Sequence, residues 1–271
     1  MRRRSWTRQE TLIAFNLYCR TPFGRLHARN PEIISVAPAL GRTPSALAMK
    51  CCNLAAFDHA LHARGISGLR KASQLDEQVW REFKNDPEKV AFEAELAYSA
   101  LLKQEIRYSE TVEWEDVQGL DKAMITKVRV NQHFFRSIVL AGYRMRCAVC
   151  ELPVPSLLVA AHIIPWCIDK SLRMNPHNGI CFCTLHDRAF DKGLIHIQRD
   201  YKISIRPELH ALARIPVVEA TFLKFEGRLL VLPDRWLPDP MLLERHGCLI
   251  QCTRDELQWP QTVRDRAGSR Q

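Results

Sequence analysis

The 271-residue sequence contains no segment long and apolar enough to cross a bilayer. Its longest apolar-looking stretch, Leu157 to Ile168, is interrupted by His162 and Pro165 and falls short of the ~20 residues a membrane helix needs. No apolar segment follows the N-terminal Met-Arg-Arg-Arg-Ser-Trp-Thr-Arg, so a secretory leader is not expected. Internal repeats and low-complexity tracts are also lacking. Hydrophobic residues at 46% and charged residues at 25% exclude a disordered or collagen-like chain. The length suits one or two compact domains. These absences leave a soluble, basic chain, expected in the cytoplasm.

What the sequence does have is positive charge, unevenly placed. The formal net charge is +9. Residues 1–71 hold 12 Lys/Arg against 3 Asp/Glu, residues 72–128 hold 7 against 13, and residues 129–271 hold 20 against 14. Two basic segments separated by an acidic one suggest two surfaces facing a polyanion, with a spacer between them. Ten cysteines would suggest disulfides in a secreted chain, but nothing else points outside the cell. Five of them lie between positions 147 and 183, beside several histidines, which points to metal binding or catalysis.

The first segment carries clear helix-start signals. Thr7-Arg-Gln-Glu10 reads as a capping box opening a helix that runs to about Arg20, before Pro22 and Gly24. Asn30-Pro31 opens a second helix ended by Gly41, and Thr43-Pro44 opens a third running to about Asp58. In the third helix, Leu47, Cys51 and Leu54 share one apolar face. Ser45, Met49, Cys52, Asn53 and Ala56 lie opposite, with Lys50 on the flank. This capped pair in a basic segment resembles a helix-turn-helix of the Myb/SANT type, a likeness to which Trp6 and Glu10 add. The resemblance implies a helix in the major groove, with Asn53 on an adenine edge and Arg42, Ser45 and Lys50 as further candidate DNA contacts. The other reading is a helical interaction domain whose basic face is merely solvated. Farther on, Asp76–Phe83 and Pro87–Lys103 read as acidic helices and 106–121 as a looser connector.

The stretch from 143 to 197 carries the chemistry. It contains Cys147-Ala-Val-Cys150, then Ala161-His162-Ile-Ile-Pro165-Trp166, then Asn178-Gly179-Ile-Cys181-Phe-Cys183-Thr-Leu-His186-Asp187-Arg-Ala-Phe190-Asp191-Lys-Gly193. Residues 157–163 and 180–184 read as strands, and 185–192 as a short helix closed by Gly193. Leu194–Gln198 and Tyr201–Arg206 read as a further strand pair, and Gly227–Pro233 as a strand. His162 would end the first strand, Asn178 would lie in the loop, and His186 would open the helix. This order is similar to that of the HNH endonucleases, whose ββα-metal site is named for those three residues. The Arg129-x-x-Gln132-x-x-Phe135-Arg136 phrase resembles the helix leading into that domain in the bacterial restriction-type branch. The Asn53 helix and the Gly68-Leu69 to Trp80 phrase resemble a module often fused to it.

The resemblance implies an α+β chain: a helical, DNA-reading domain over 1–83, an acidic helical spacer over 84–128, an HNH domain over 129–206, and a C-terminal extension over 207–271 packing on it. It also implies hydrolysis of double-stranded DNA with a divalent metal, Mg²⁺ or Mn²⁺, in restriction or defence. A histidine titrating near neutrality can deprotonate water, the role expected of His162. Asn178 would orient that imidazole or reach the metal, and His186 would be the leading metal ligand. Where many family members have Asp or His before the base, this chain has Ala161, so Asp187 is a possible substitute ligand and Asp191 a weaker one. For structural zinc, Cys147 and Cys150 form a good knuckle. Cys181 and Cys183 would complete it, although a strand puts those two thiols on opposite faces. A Cys183-x-x-His186 pair would instead compete with catalysis for His186. Buried, reduced cysteines are the remaining reading. The sequence leaves open whether two chains pair to cut both strands. A non-catalytic DNA-binding regulator with a degenerate, zinc-stabilised module is the alternative to an enzyme.

Overall fold

The computed structural model describes residues 4–58, 61–62, 65, 72–105 and 122–256, the side chains of 122–123 and 251–256 excepted. The expected connector at 106–121 and the Gly68-Leu69 phrase lie outside them. Among the described residues the fold is α+β, with helices and two separate two-stranded antiparallel sheets. Two compact units are distinguished: Met1–Asp187 with Leu230–Asp239, and Arg188–Leu229 with Pro240–Gln271. Among the described residues, no helix is long and apolar enough to cross a membrane.

In the first unit, helix α1 (Arg8–Arg20) begins at the Thr7–Glu10 capping box. Helices α2 (Pro31–Ala39) and α3 (Pro44–Leu54) begin on the Asn30 and Thr43 side-chain caps. The backbone passes Gly41 at φ +63°, a conformation that suits glycine. The third helix ends four residues sooner than expected, passing into a 3-10 turn over Ala55–Phe57. Leu47, Cys51 and Leu54 are fully buried, as their spacing predicts.

The acidic helices α4 (Gln74–Asn85) and α5 (Pro87–Leu102) correct the spacer reading. Both pack on α1, which is buried at every residue from Glu10 to Cys19. Arg8 donates to Glu82 at 2.7 Å and to Glu93 at 2.6 Å. Lys50 pairs with Asp76, both inaccessible to solvent. The acidic segment therefore neutralises part of the basic one from within the same core. Helix α6 (Lys122–Gly142) packs on α1 and α5 and, along its length, on the hairpin of β1 (Leu158–His162) and β2 (Gly179–Cys183). Helix α7 (Thr184–Asp191) follows β2 directly.

A late segment completes this unit. Leu230–Asp239 runs along it as a strap, anchored by Val231 N–H on Ala148 O and Asp234 N–H on Gly142 O. Arg235 is fully buried and donates to Tyr18 O at 2.6 Å, Thr21 O at 2.8 Å and Cys19 O at 3.4 Å. Those carbonyls end α1, where the helix leaves its acceptors unsatisfied and its dipole is negative, so a guanidinium is a fitting cap. The neighbouring Trp236 stacks on Trp80 at 5.4 Å.

The second unit holds the expected strand pair, β3 (Ile195–Ile197) and β4 (Ile203–Ile205), antiparallel with Ile195 opposite Ile205. Short helices α8 (Pro207–His210) and α9 (Pro216–Thr221) follow, then α10 (Pro240–Glu256). The strand expected over Gly227–Pro233 is reduced to one bridge, Lys202 to Leu229. Val231 gives its N–H to Ala148 instead of to a ladder, and Pro233 has none to give.

Candidate metal centre and active site

The β1–β2 ladder sets the frame. Leu158 faces Cys183 at one end and His162 faces Gly179 at the other, so both chemical centres hang on one hairpin. Gly179 is needed there: a Cβ would meet Val139 Cγ2 at 2.4 Å and Phe135 Cζ at 3.0 Å. Its absence lets α6 lie against β2 and brings the Phe135 ring onto the His162 imidazole, 4.0 Å apart and 6° from parallel.

At the Leu158 end, Cys147, Cys150, Cys183 and His186 offer ligand atoms all within 4.8 Å of one another. Cys183 Sγ lies 3.1 Å from His186 Nδ1, Cys147 Sγ 3.6 Å from the same nitrogen, and Cys150 Sγ 3.9 Å from Cys183 Sγ. Tetrahedral zinc with bonds near 2.3 Å to sulfur and 2.0–2.1 Å to nitrogen sets ligand edges of about 3.5–3.8 Å, so this Cys₃His set fits zinc. The knuckle is shaped by Glu151, at φ +57°, and pinned to β2 by Ala148 N–H on Cys181 O at 2.7 Å. Hydrogen bonds from Cys147 and Cys150 hold the Cys183 thiol well below its ordinary acidity range, favouring a thiolate there.

Two expectations change here. Cys181 is not in the cluster; alternation along β2 separates it from Cys183, and burial pushes its thiol up to about 12. His186 is 1% exposed and turned into the thiols, so the imidazole expected to lead the catalytic metal site serves this cluster instead. Asp187, the next residue in the first turn of α7, is half-buried.

At the other end, His162 sits at the close of β1. Its Nε2 lies 3.0 Å from Arg173 O. A carbonyl only accepts, so the ring hydrogen is assigned to Nε2 and the lone pair to Nδ1. Trp166 Nε1 is 2.9 Å from that Nδ1 and 2.6 Å from Nε2. Burial brings the ring's pKa down from 6.5 to about 4, outweighing the Arg173 carbonyl, which raises it. The imidazole is therefore neutral at physiological pH.

Asn178 is fully buried but touches neither the imidazole nor an open site. Its Oδ1 accepts from Ile164 N at 2.8 Å, and its Nδ2 donates to Ile164 O and Leu172 O at 3.0 and 3.3 Å. The amide is turned into the loop backbone and is closed to solvent. The side chain instead ties the start of the loop to its end, which sets Arg173 O against His162. The orienting role expected of Asn178 is thus indirect.

The candidate DNA contacts divide. Ser45 is exposed and Asn53 half-buried on α3. Arg42, by contrast, donates to Arg4 O and Ser5 O at 2.7 Å and to Glu10 at 2.9 Å, and stacks on Trp6. Lys50 is held by Asp76. Both cations are committed to internal partners and are not placed to meet phosphate. His177, beside Asn178, has its Nδ1 2.7 Å from Leu237 O. Sequence reasoning assigned no role to Phe135, Trp166 or Arg173, although the four-residue step from His162 to Trp166 was visible.

Residues 147–198 match the family model HNH_2, described as HNH endonuclease. The match covers the zinc-type cluster, both strands, the loop and α7, and the chain therefore carries a module of the HNH endonuclease family. No curated protein matches the chain.

Proposed function

From an HNH-family module at residues 147–198, we propose that this protein is a divalent-metal-dependent endonuclease that hydrolyses phosphodiester bonds of double-stranded DNA, acting in restriction or defence. The observation that carries the reading is His162: a neutral imidazole at a strand end, anchored through Nε2, with Nδ1 as its basic nitrogen. Such a ring can take a proton from water at neutral pH. Asn178 holds the loop that fixes it.

The donors of this module suit two different metals. The thiol-rich cluster suits structural zinc, a folding element. The half-buried Asp187 is an oxygen donor of the kind Mg²⁺ or Mn²⁺ prefers. When bound, such a cation would stabilise charge on the phosphate and the leaving 3′ oxygen.

Plasmid incubated with Mg²⁺ or Mn²⁺ tests the reading, using methylated and unmethylated DNA and His162→Ala beside the wild type. Cleavage by the wild type alone is expected. Cleavage by both proteins, or by neither, overturns the assignment. One observation favours a second reading, a zinc-stabilised DNA-binding regulator. With Ala161 before the base and His186 among the thiols, only Asp187 and the weaker candidate Asp191 remain of the expected metal ligands. DNA binding without cleavage under all those conditions would support it.

A further inference from the structure

The lone pair that would accept water's proton is already occupied. The Trp166 indole nitrogen approaches both ring nitrogens of His162, Nε2 at 2.6 Å and Nδ1 at 2.9 Å; with the Nε2 hydrogen given to Arg173 O, only Nδ1 has a lone pair to accept the indole N–H. The imidazole cannot turn to another partner, because Phe135 lies flat on one face and the Arg173 carbonyl fixes the edge. Trp166 has more freedom. It sits in a turn closed by Ile168 N–H on Pro165 O, flanked by the exposed Pro165, Cys167 and Ile168.

The guanidinium of Arg173 lies over the indole, with Cζ 4.8 Å from the ring. Its Nε is buried with no hydrogen-bond partner, and among the described residues no carboxylate pairs with it. Arg8, Arg20, Arg42, Lys50, Arg144 and Arg235 of the same unit, by contrast, all have acids or carbonyls as partners. Arg173 stands one residue beyond Leu172, whose carbonyl Asn178 clamps. It is thus a rigidly based arginine, short of partners, beside the base.

We propose that Arg173 is the phosphate-binding residue of this site and that Trp166 is a positioning residue which covers the base until a DNA phosphodiester engages that arginine. A guanidinium binds a phosphate through paired, charge-assisted hydrogen bonds, which an indole face cannot match. Drawing Arg173 onto phosphate removes the stack that holds the indole. Once the indole N–H leaves Nδ1, a water takes its place on the lone pair. Substrate binding and exposure of the base are then one event, and the imidazole is shielded between encounters. This rests on the reading of His162 as the base, but the resting contact and its release are measurable without any cleavage.

The first measurement uses ¹⁵N-labelled full-length protein, with the Trp166 indole resonance identified by its loss in Trp166→Phe. Titration with a short DNA duplex, without added divalent cation, should shift that indole resonance and the His162 Nδ1 resonance together. Neither should shift in Arg173→Met. An indole signal unmoved by excess duplex in the wild type, whether or not the duplex binds elsewhere, overturns the proposal. The second measurement is single-turnover cleavage. Relieving a covered state should make Trp166→Phe about three- to tenfold faster than wild type at subsaturating DNA, and Arg173→Met at least about tenfold slower. The double variant should recover part of the Arg173→Met loss, which a merely structural role for Trp166 would not produce. No recovery overturns the latch. If the wild type cleaves nothing, the nuclease reading fails and the resonance titration still decides the latch. Zinc content and melting temperature confirm that each variant is folded.

Discussion

Gly179 stands opposite His162 across the β1–β2 ladder, and its missing side chain is the space in which Phe135 reaches the imidazole. Glycine is used here for close approach, not for its backbone freedom.

Gly179→Ala should therefore be disruptive out of proportion to one methyl group. The added carbon would meet Val139 and Phe135, on a helix packed along the whole hairpin. A loss of about 1–3 kcal/mol is expected, the usual range for overpacking. Urea unfolding measures it, and the Phe135–His162 stack should be disturbed in the folded protein. Unchanged stability would mean that α6 yields easily at this point.

Metal content separates the two possible ligand sets. The purified protein should hold a single zinc ion, lost in Cys147→Ser and in His186→Ala and kept in Cys181→Ser. Elemental analysis of the three variants reads this directly. Loss of zinc should also lower the melting temperature, because binding energy at a structural site is folding energy. Zinc loss in Cys181→Ser with retention in His186→Ala would reverse the assignment.

Acid should destabilise the protein through His162. In the folded chain the ring takes its proton only near pH 4, whereas an ordinary histidine does so at 6.5. Between those values the unfolded chain binds a proton that the folded one refuses. Stability therefore falls as pH drops through 6.5 and levels off below about 4, by on the order of 3 kcal/mol at most. His162→Asn should lose correspondingly less over the same window. The comparison with wild type isolates this ring from His246, which burial also holds to about 4.

Arg42→Ala should affect folding and not DNA affinity. Its guanidinium ties Glu10 to the carbonyls of Arg4 and Ser5 and packs on Trp6. Removing it is expected to lower stability by about 2–4 kcal/mol, since hydrogen bonds to charged groups are worth about 1.5–3 kcal/mol each. The dependence of DNA affinity on salt should stay as in the wild type. A flatter salt dependence would place Arg42 on phosphate after all.

The local signals in the sequence translated well. Thr7–Glu10, Asn30-Pro31 and Thr43-Pro44 each start a helix because capping joins residues two or three positions apart. The strand, loop, strand and helix around His162 and Asn178 follow from short apolar runs and turn chemistry. What the sequence withheld depends on which side chains meet in space. Lys50 looks like a flanking surface cation until α4 brings Asp76 to it. The acidic helices look like a spacer until Glu82 and Glu93 close on Arg8.

His186 and Asp187 illustrate the limit most sharply. Adjacent helical residues point about 100° apart, following from 3.6 residues per turn. Which of the two meets the thiols is a matter of helix phase, and the Cys183-x-x-His186 spacing was the one available clue. Asn178 was legible as important, but its role was not. Its three partners are backbone atoms of Ile164 and Leu172, which no reading of side-chain types would reveal.

The strap residue Arg235 reaches back 217 positions to Tyr18. During synthesis α1 is made first, and its carboxyl end stays uncapped until nearly the whole described chain has been translated. Contacts across so long an interval close late, because the intervening chain must first be ordered. The hairpin bearing His162 and the thiol cluster is made before the frame it joins can be finished. A chain truncated before the strap would retain every candidate site residue but not the buried cap on the central helix. The core of this unit is thus closed by a residue made after every candidate site residue.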